Sequence, residues 1–201
     1  MKNLVNFFLV SFLLCSSCVR NYKIPPEDYS LLPYKGHETL VFHSSKGDID
    51  TIFLEGEKRF ASWTNQWSLF PKNAEYLDLI AKRSDPTEGK QRYLDSSKFV
   101  TLINDGESKL CIDFTAKAAW FYGDSIYTKK ALLKAKTINI QIGNTIYNDV
   151  IVLIPNKEYH EKVDGKLVDR SNTIYKLYWS KKSGFIGYDK KNEQWVLIKR
   201  Y

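Results

Sequence analysis

The chain has 201 residues, 43% hydrophobic and 14% aromatic, enough apolar material for one domain with a sizeable core and too little length to argue for two. That balance excludes a disordered chain, and no internal repeat or low-complexity tract interrupts it. An excess of Lys and Arg (30) over Asp and Glu (23) gives a net charge of +7 and a pI near 9.1, which suits a phosphate-rich partner.

The first eighteen residues read as an export signal. Lys2 is a short positive start, Leu4 to Leu14 an apolar run, and Ser16-Ser17-Cys18 places small residues before a cysteine. A membrane-crossing helix needs about 20 apolar residues, and Asn6 and Ser11 break this run before that length. Residues 1–17 are therefore expected to be cleaved. Ser16-Ser17-Cys18 resembles the lipobox of bacterial lipoproteins, although Cys15 stands where that pattern prefers leucine. The resemblance covers this segment alone and implies a thioether-linked diacylglycerol on Cys18, the first mature residue. One acyl chain holds only marginally at about 0.8 kcal/mol per buried methylene, whereas several anchor firmly.

After Cys18, Val19-Arg20-Asn21-Tyr22 lacks the aspartate that resembles an inner-membrane retention signal. It also lacks the acidic run that resembles a surface-export signal in Bacteroidota lipoproteins. By that resemblance the protein is anchored in the outer membrane and faces the periplasm, where nucleic acid is not an expected partner. Loss of Lys2 lowers the charge from +7 to +6, and Cys111 is the one cysteine left unmodified. No intrachain disulfide can form in the mature chain.

Val19 to Tyr34 contains Pro25-Pro26 and Pro33, which favour extended backbone, so residues 18–34 read as a lipidated cysteine and tether. Sixteen such residues reach roughly 50 Å at about 3.3 Å each. Residues 35–201 are expected to form a single β-rich domain.

Turn signals then recur every several residues between segments rich in Ile, Val, Thr, Tyr, Phe and Trp. Glu38 to Ser44 and Asp48 to Leu54 flank Ser45-Lys46-Gly47 as a hairpin, with Lys58 to Trp63 continuing after Gly56. The run Ala74 to Arg83 places Leu77, Ile80 and Ala81 on one helical face and stops at Ser84-Asp85-Pro86, which predicts a helix. Lys98 to Ile103 and Lys109 to Thr115 flank the turn Asn104-Asp105-Gly106. Thr128 to Lys136 carries Ala131, Leu132 and Ala135 as an apolar stripe among lysines, a second short helix. Thr137 to Ile142 and Thr145 to Ile154 flank Gly143-Asn144. Alternation in the first predicts a half-solvated strand, and Val150 to Ile154, apolar on both parities, a covered one. Thr173 to Ser180, Gly184 to Asp189 and Glu193 to Arg200 are the last three strands. The fold class is mainly β: a curved antiparallel sheet or partly open barrel with one or two short helices.

No catalytic motif, metal-ligand spacing or nucleotide loop stands out, and no cofactor is expected. Cys111 shares a strand face with Asp113 and Thr115, opposite Leu110, Ile112 and Phe114, which makes that face a candidate cavity lining. A reactive thiol needs a base, and His37, His43 and His160 are scattered; the ordinary reading of Cys111 is a small buried hydrophobe. Nor do the histidines pair at ligand spacing. Asp48-Ile49-Asp50 has the spacing of the paired aspartates of haloacid-dehalogenase-type phosphoryl transferases, but no apolar parallel strand precedes it, so it reads as a solvated strand start.

Two contact regions remain. Phe60, Trp63, Trp67 and Phe70 form an aromatic cluster, and Asn65 and Gln66 between the tryptophans give Trp63 and Trp67 the character of a pocket rim. If the last three strands form a meander, Lys181 and Lys182 meet Lys199 and Arg200 at one end of the sheet. Four cations there suit an envelope protein or an anionic lipid headgroup. The expected function is a membrane-anchored, non-catalytic docking module of the cell envelope. An alternative is a carrier enclosing an acyl chain in a curved sheet, and a hydrolase with an unrecognised site comes third. The chain resembles the small uncharacterised lipoproteins of Bacteroidota, a resemblance that brings no function with it.

Overall fold

The computed structural model describes residues 20–63, 72–83, 96–112, 115–116, 119–120, 125–154, 162–163, 166–167, 174–190 and 192–201. Its strands in chain order are β1 (Arg20–Tyr22), β2 (Thr39–Ser44), β3 (Ile49–Trp63), β4 (Lys72–Arg83), β5 (Ser96–Asn104), β6 (Ser108–Ile112), β7 (Thr115–Ala116) and β8 (Ala119–Trp120). They continue with β9 (Ser125–Thr128), β10 (Ile138–Ile142), β11 (Thr145–Leu153), β12 (Lys162–Val163), β13 (Lys166–Leu167), β14 (Ile174–Ser180), β15 (Gly184–Lys190) and β16 (Glu193–Arg200). A 3-10 helix spans Pro26–Leu31, and the α-helix α1 spans Lys129–Lys134.

Twelve strands form one sheet in the order β10-β11-β14-β15-β16-β2-β3-β4-β5-β6-β9, with β1 added in parallel beside β4. Every other pairing in the sheet is antiparallel. The mainly β, curved and unclosed architecture expected from the residues is the one observed. The two outer strands, β9 and β10, do not pair; α1 and the residues after it join them.

The sheet curls until its inner face meets itself. Phe99 on β5 and Phe185 on β15 lie five strands apart in the sheet, yet their ring centroids are 5.5 Å apart. Strand alternation supplies that inner face: Leu40 and Phe42 of β2, Ile52 and Leu54 of β3, Leu110 and Ile112 of β6 are all buried, while the residues between them are more exposed. Aromatic rings fill the middle. Phe185 stacks on Tyr188 at 5.9 Å and Tyr188 on Trp195 at 5.7 Å, with Phe42 tilted against both Phe185 and Tyr188.

The segment Ala74 to Arg83, expected as a helix, is a strand. Its residues satisfy both periods: Leu77, Ile80 and Ala81 match a helical face, but Leu77, Leu79 and Ala81 also alternate with Tyr76, Asp78 and Ile80. Pairing decides, because β3 and β5 supply hydrogen-bond partners along both edges of β4 and bury Leu79 and Ala81. β3 likewise runs unbroken through Gly56 instead of pausing there.

The second expected helix is present as α1. Thr128 caps it, its hydroxyl accepting from the Ala131 N–H at 3.2 Å, and Leu132 is its buried residue. Thr128→Ala is expected to cost about 1 kcal/mol, read as a shift of the denaturant midpoint at unchanged slope.

Residues 20–34, read from the sequence as part of a tether, dock on the domain together with residues 35–38. They cross one end of the curled sheet and bury Ile24, Leu32 and Tyr34 in the core. β1 pairs with Lys72–Ala74 of β4, and the Ile24 N–H donates to Glu75 Oε2 at 2.6 Å. The Asn104 amide holds the Lys23 carbonyl at 2.9 Å. Further on, Gly36 crosses β3 so closely that a Cβ built on it would lie 2.6 Å from the Gly56 Cα. Pro25 is extended, as expected, but Pro26 opens the 3-10 helix Pro26–Leu31, and the segment's apolar residues give it a surface to bind.

Candidate functional site

Register places many chemically informative side chains at the end of the sheet that residues 20–38 cover. Arg200 lies opposite Leu40 at the start of β2, and Val150 opposite Ser180 at the close of β14. The turn 181–183 therefore sits beside the chain's last residues, and the Arg200 guanidinium donates to the Ser183 carbonyl at 3.0 Å. On the other half, Lys109 pairs with Thr128, so α1 rises from this same end. Asp28 of the 3-10 helix is ion-paired with Lys129 of α1, and Lys181 Nζ donates to the Leu133 carbonyl at 3.3 Å. Covering segment, helix and turn are thereby tied together.

Glu38 organises the centre. Its carboxylate accepts from the backbone N–H groups of Lys35 (2.6 Å), Gly36 (2.9 Å) and His37 (3.1 Å), and from Arg200 Nη2 at 3.0 Å. Burial pushes this carboxyl up, but those hydrogen bonds outweigh it and hold Glu38 below its ordinary value. Arg200 also donates to the Pro33 carbonyl at 2.5 Å and lies 4.6 Å over the Tyr34 ring. The Tyr34 hydroxyl accepts from the Phe185 N–H at 2.7 Å, and burial drives that hydroxyl upward in pKa. Of the four cations expected to face a partner, Arg200 is thus committed to holding the covering segment in place.

Lys182 and Lys199 are exposed, and Lys181 is half-buried. Asp149 fixes the turn by accepting from Ser180 Oγ at 2.8 Å and the Lys182 N–H at 2.9 Å. Beside it, Ser30, Leu31, Leu132, Leu133, Ile151, Trp179 and Lys181 line an open cleft of about 180 Å³. A second, of about 130 Å³, lies between β1, β4 and β5, lined by Tyr22, Lys72, Ala74, Tyr76, Ile103 and Asp105. Leu133 is 60% exposed at the rim of the first cleft.

Trp63 is the last residue of β3, in the β3–β4 ribbon that extends beyond this same end, and Phe60 in that ribbon is exposed. Trp67 and Phe70 lie outside the described residues, as do Cys18, Asp113 and His160. Cys111 is half-buried and faces away from the core, its cross-strand neighbours being Thr101 and Ile126. The expected alternation holds, with Leu110 and Ile112 in the core and Cys111 on the opposite face, where it is half-buried rather than a fully buried hydrophobe. His37 and His43 are exposed and far apart in the fold, His43 lying opposite Ile49 on the outer face. Among the described residues no three His, Cys, Asp or Glu side chains gather closely enough to hold a metal.

Asp50 corrects the reading of Asp48-Ile49-Asp50 as a solvated start. Asp48 is exposed, but Asp50 is buried and pairs with Phe42, on the inward parity. Sequence reasoning also passed over a polar arrangement on the outer face. Asp78 accepts from Arg59 Nε and Thr101 Oγ1, both at 2.5 Å, while the Arg59 guanidinium lies 4.1 Å over the Tyr76 ring. Burial raises the Asp78 carboxyl, and the bonds from Arg59 and Thr101 more than reverse this. Cross-strand partners cannot be chosen from sequence before β4 is known to be a strand.

The chain matches no protein-family model, no curated protein and no solved structure.

Proposed function

We propose that this chain is a lipoprotein of the cell envelope, anchored through acylated Cys18 in the outer membrane, facing the periplasm, and acting as a non-catalytic docking module. The observation that carries the reading is a coincidence of position. Arg20, two residues after Cys18, pairs with Lys72 on the same end of the sheet that carries Lys181, Lys182, Lys199 and the exposed Leu133. An acyl carrier is the second reading, supported by the curl of the sheet. It is the weaker one, because stacked rings occupy the interior and the two clefts described among these residues, about 180 and 130 Å³, fall short of the roughly 300 Å³ at which ligand pockets begin.

Cys18→Ser is expected to move the protein out of the membrane fraction, and mass spectrometry of the wild-type amino-terminal peptide should show its acyl chains. A photo-crosslinking residue in place of Lys182 should capture an envelope component, protein or lipid, in intact cells. The same residue in place of Lys46 at the opposite end should not. Equal capture from both positions would remove the docking role.

A further inference from the structure

We infer that the covered end of the sheet is a membrane-docking face, shaped to lie on a bilayer of anionic headgroups. The inference rests on the anchored reading above and names its partner: the lipid surface itself.

Chain length makes the first argument. If Cys18 is acylated, only Val19 separates it from Arg20, which is already paired to Lys72 of β4. Two residues span less than about 8 Å even when fully extended, so this end cannot stand away from the lipid. The opposite end, with Lys46 in its turn, is held a full strand length off.

Charge and apolar exposure make the second. Lys130, Lys134 and Lys182 are exposed, and none forms an ion pair among the described residues. Asp28, Glu38 and Asp149 at this end are engaged, with Lys129, with Arg200, and with Ser180 and the Lys182 N–H, and the exposed Glu27 lies beside Lys129. A surplus of cations on one face suits an anionic surface. Between and beside the lysines stand Leu133, Ile138 and Ile146, 60%, 40% and 67% exposed. Ile138 opens β10 opposite Val150, one residue from the Asp149 that fixes the lysine turn, and Ile146 extends the same hairpin outward. Branched apolar side chains flanked by lysines are the composition of a surface that enters the headgroup region, the apolar part seated between acyl chains and the ammonium groups at the phosphates.

The test is lysine footprinting of the full-length protein, purified from membranes and returned to vesicles. One set is phosphatidylcholine alone and the other is equal parts phosphatidylcholine and phosphatidylglycerol. With a water-soluble acetylating reagent, Lys130, Lys134 and Lys182 should label several-fold more slowly in the anionic vesicles, and Lys46 equally in both. Concentrated salt should abolish the difference, since screening shrinks to about 3 Å at 1 M. A Lys134→Glu, Lys182→Glu double variant should restore labelling of Lys130. Equal labelling of these lysines in the two vesicle types would overturn the inference, as would protection that survives the double variant. Anchoring is read separately from the mass of the amino-terminal peptide. Unmodified Cys18 defeats the anchored reading, while failed protection on an acylated protein defeats the docking face alone.

Discussion

Glu38→Ala is expected to destabilise the domain by about 2–4 kcal/mol, because a buried hydrogen-bonded carboxylate is lost while its partly exposed partner Arg200 can be hydrated. The loss extends beyond a single charge pair, because three backbone N–H groups and the Arg200 guanidinium share that carboxylate. These donors are part-buried, so each one left without its acceptor costs at most about 1–3 kcal/mol and less where water reaches it. Arg200→Ala should cost less, since its side chain keeps 29% exposure and Glu38 retains its backbone donors. Denaturant unfolding of the two variants checks the order; a larger loss from Arg200→Ala would mean that Glu38 is not the centre of the arrangement. The pH dependence carries the same signature. The Glu38, Asp78 and Asp28 carboxyls are all held below their ordinary values, 4.5 for Glu and 3.8 for Asp. A depressed carboxyl stabilises fully above its unfolded value and loses that contribution as pH falls toward its folded one. Stability should therefore be flat above about pH 5 and fall beneath pH 4, and Glu38→Ala should shallow the fall.

Gly36→Ala is expected to be comparably damaging, for a steric reason. Gly36 has φ of +84°, a left-handed conformation that costs an L-residue about 1–2 kcal/mol. The new methyl would also meet the Gly56 Cα at 2.6 Å and its nitrogen at 2.8 Å. Those are backbone atoms of a paired strand, so one chain must move and break the 2.9 Å bond from the Gly56 N–H to the Gly36 carbonyl, adding about 1–3 kcal/mol. Gly143→Ala is the control: its φ is +55° but nothing lies within 4 Å, so only the conformational part should appear. Equal thermal shifts for the two variants would show that the crossing is not tight.

What was legible in the residues followed a local rule. The hairpin turns at Gly47, Asn104-Asp105-Gly106 and Gly143-Asn144 were marked by residues that tolerate tight turns, and the meander of the last three strands brought Lys181 and Lys182 next to Arg200 as its parity required. The failures were cases where partners far along the chain decided. β4 became a strand because β3 and β5 were there to pair with it. Residues 20–38 became a cover because Glu75, Asn104 and Phe185 offered bonds to their backbone and to Tyr34. Arg200 looked like a surface cation until Glu38, 162 residues away in sequence, claimed it. Leu133 and Ile146 carried no signal at all, since the exposure of one apolar residue is a property of the assembled surface.

The position of β16 bears on how the molecule is made. Among the described residues this strand is the paired seam between the carboxy-terminal hairpins and the amino-terminal meander, joining β15 on one side and β2 on the other. Until Glu193–Arg200 pairs, β15 and β2 each present an open edge, and contacts such as the Phe185 N–H with the Tyr34 hydroxyl join the halves without a strand ladder. Such long-range closure is slow. A polypeptide built this way gains the main-chain closure between its two halves only when β16 pairs on both sides.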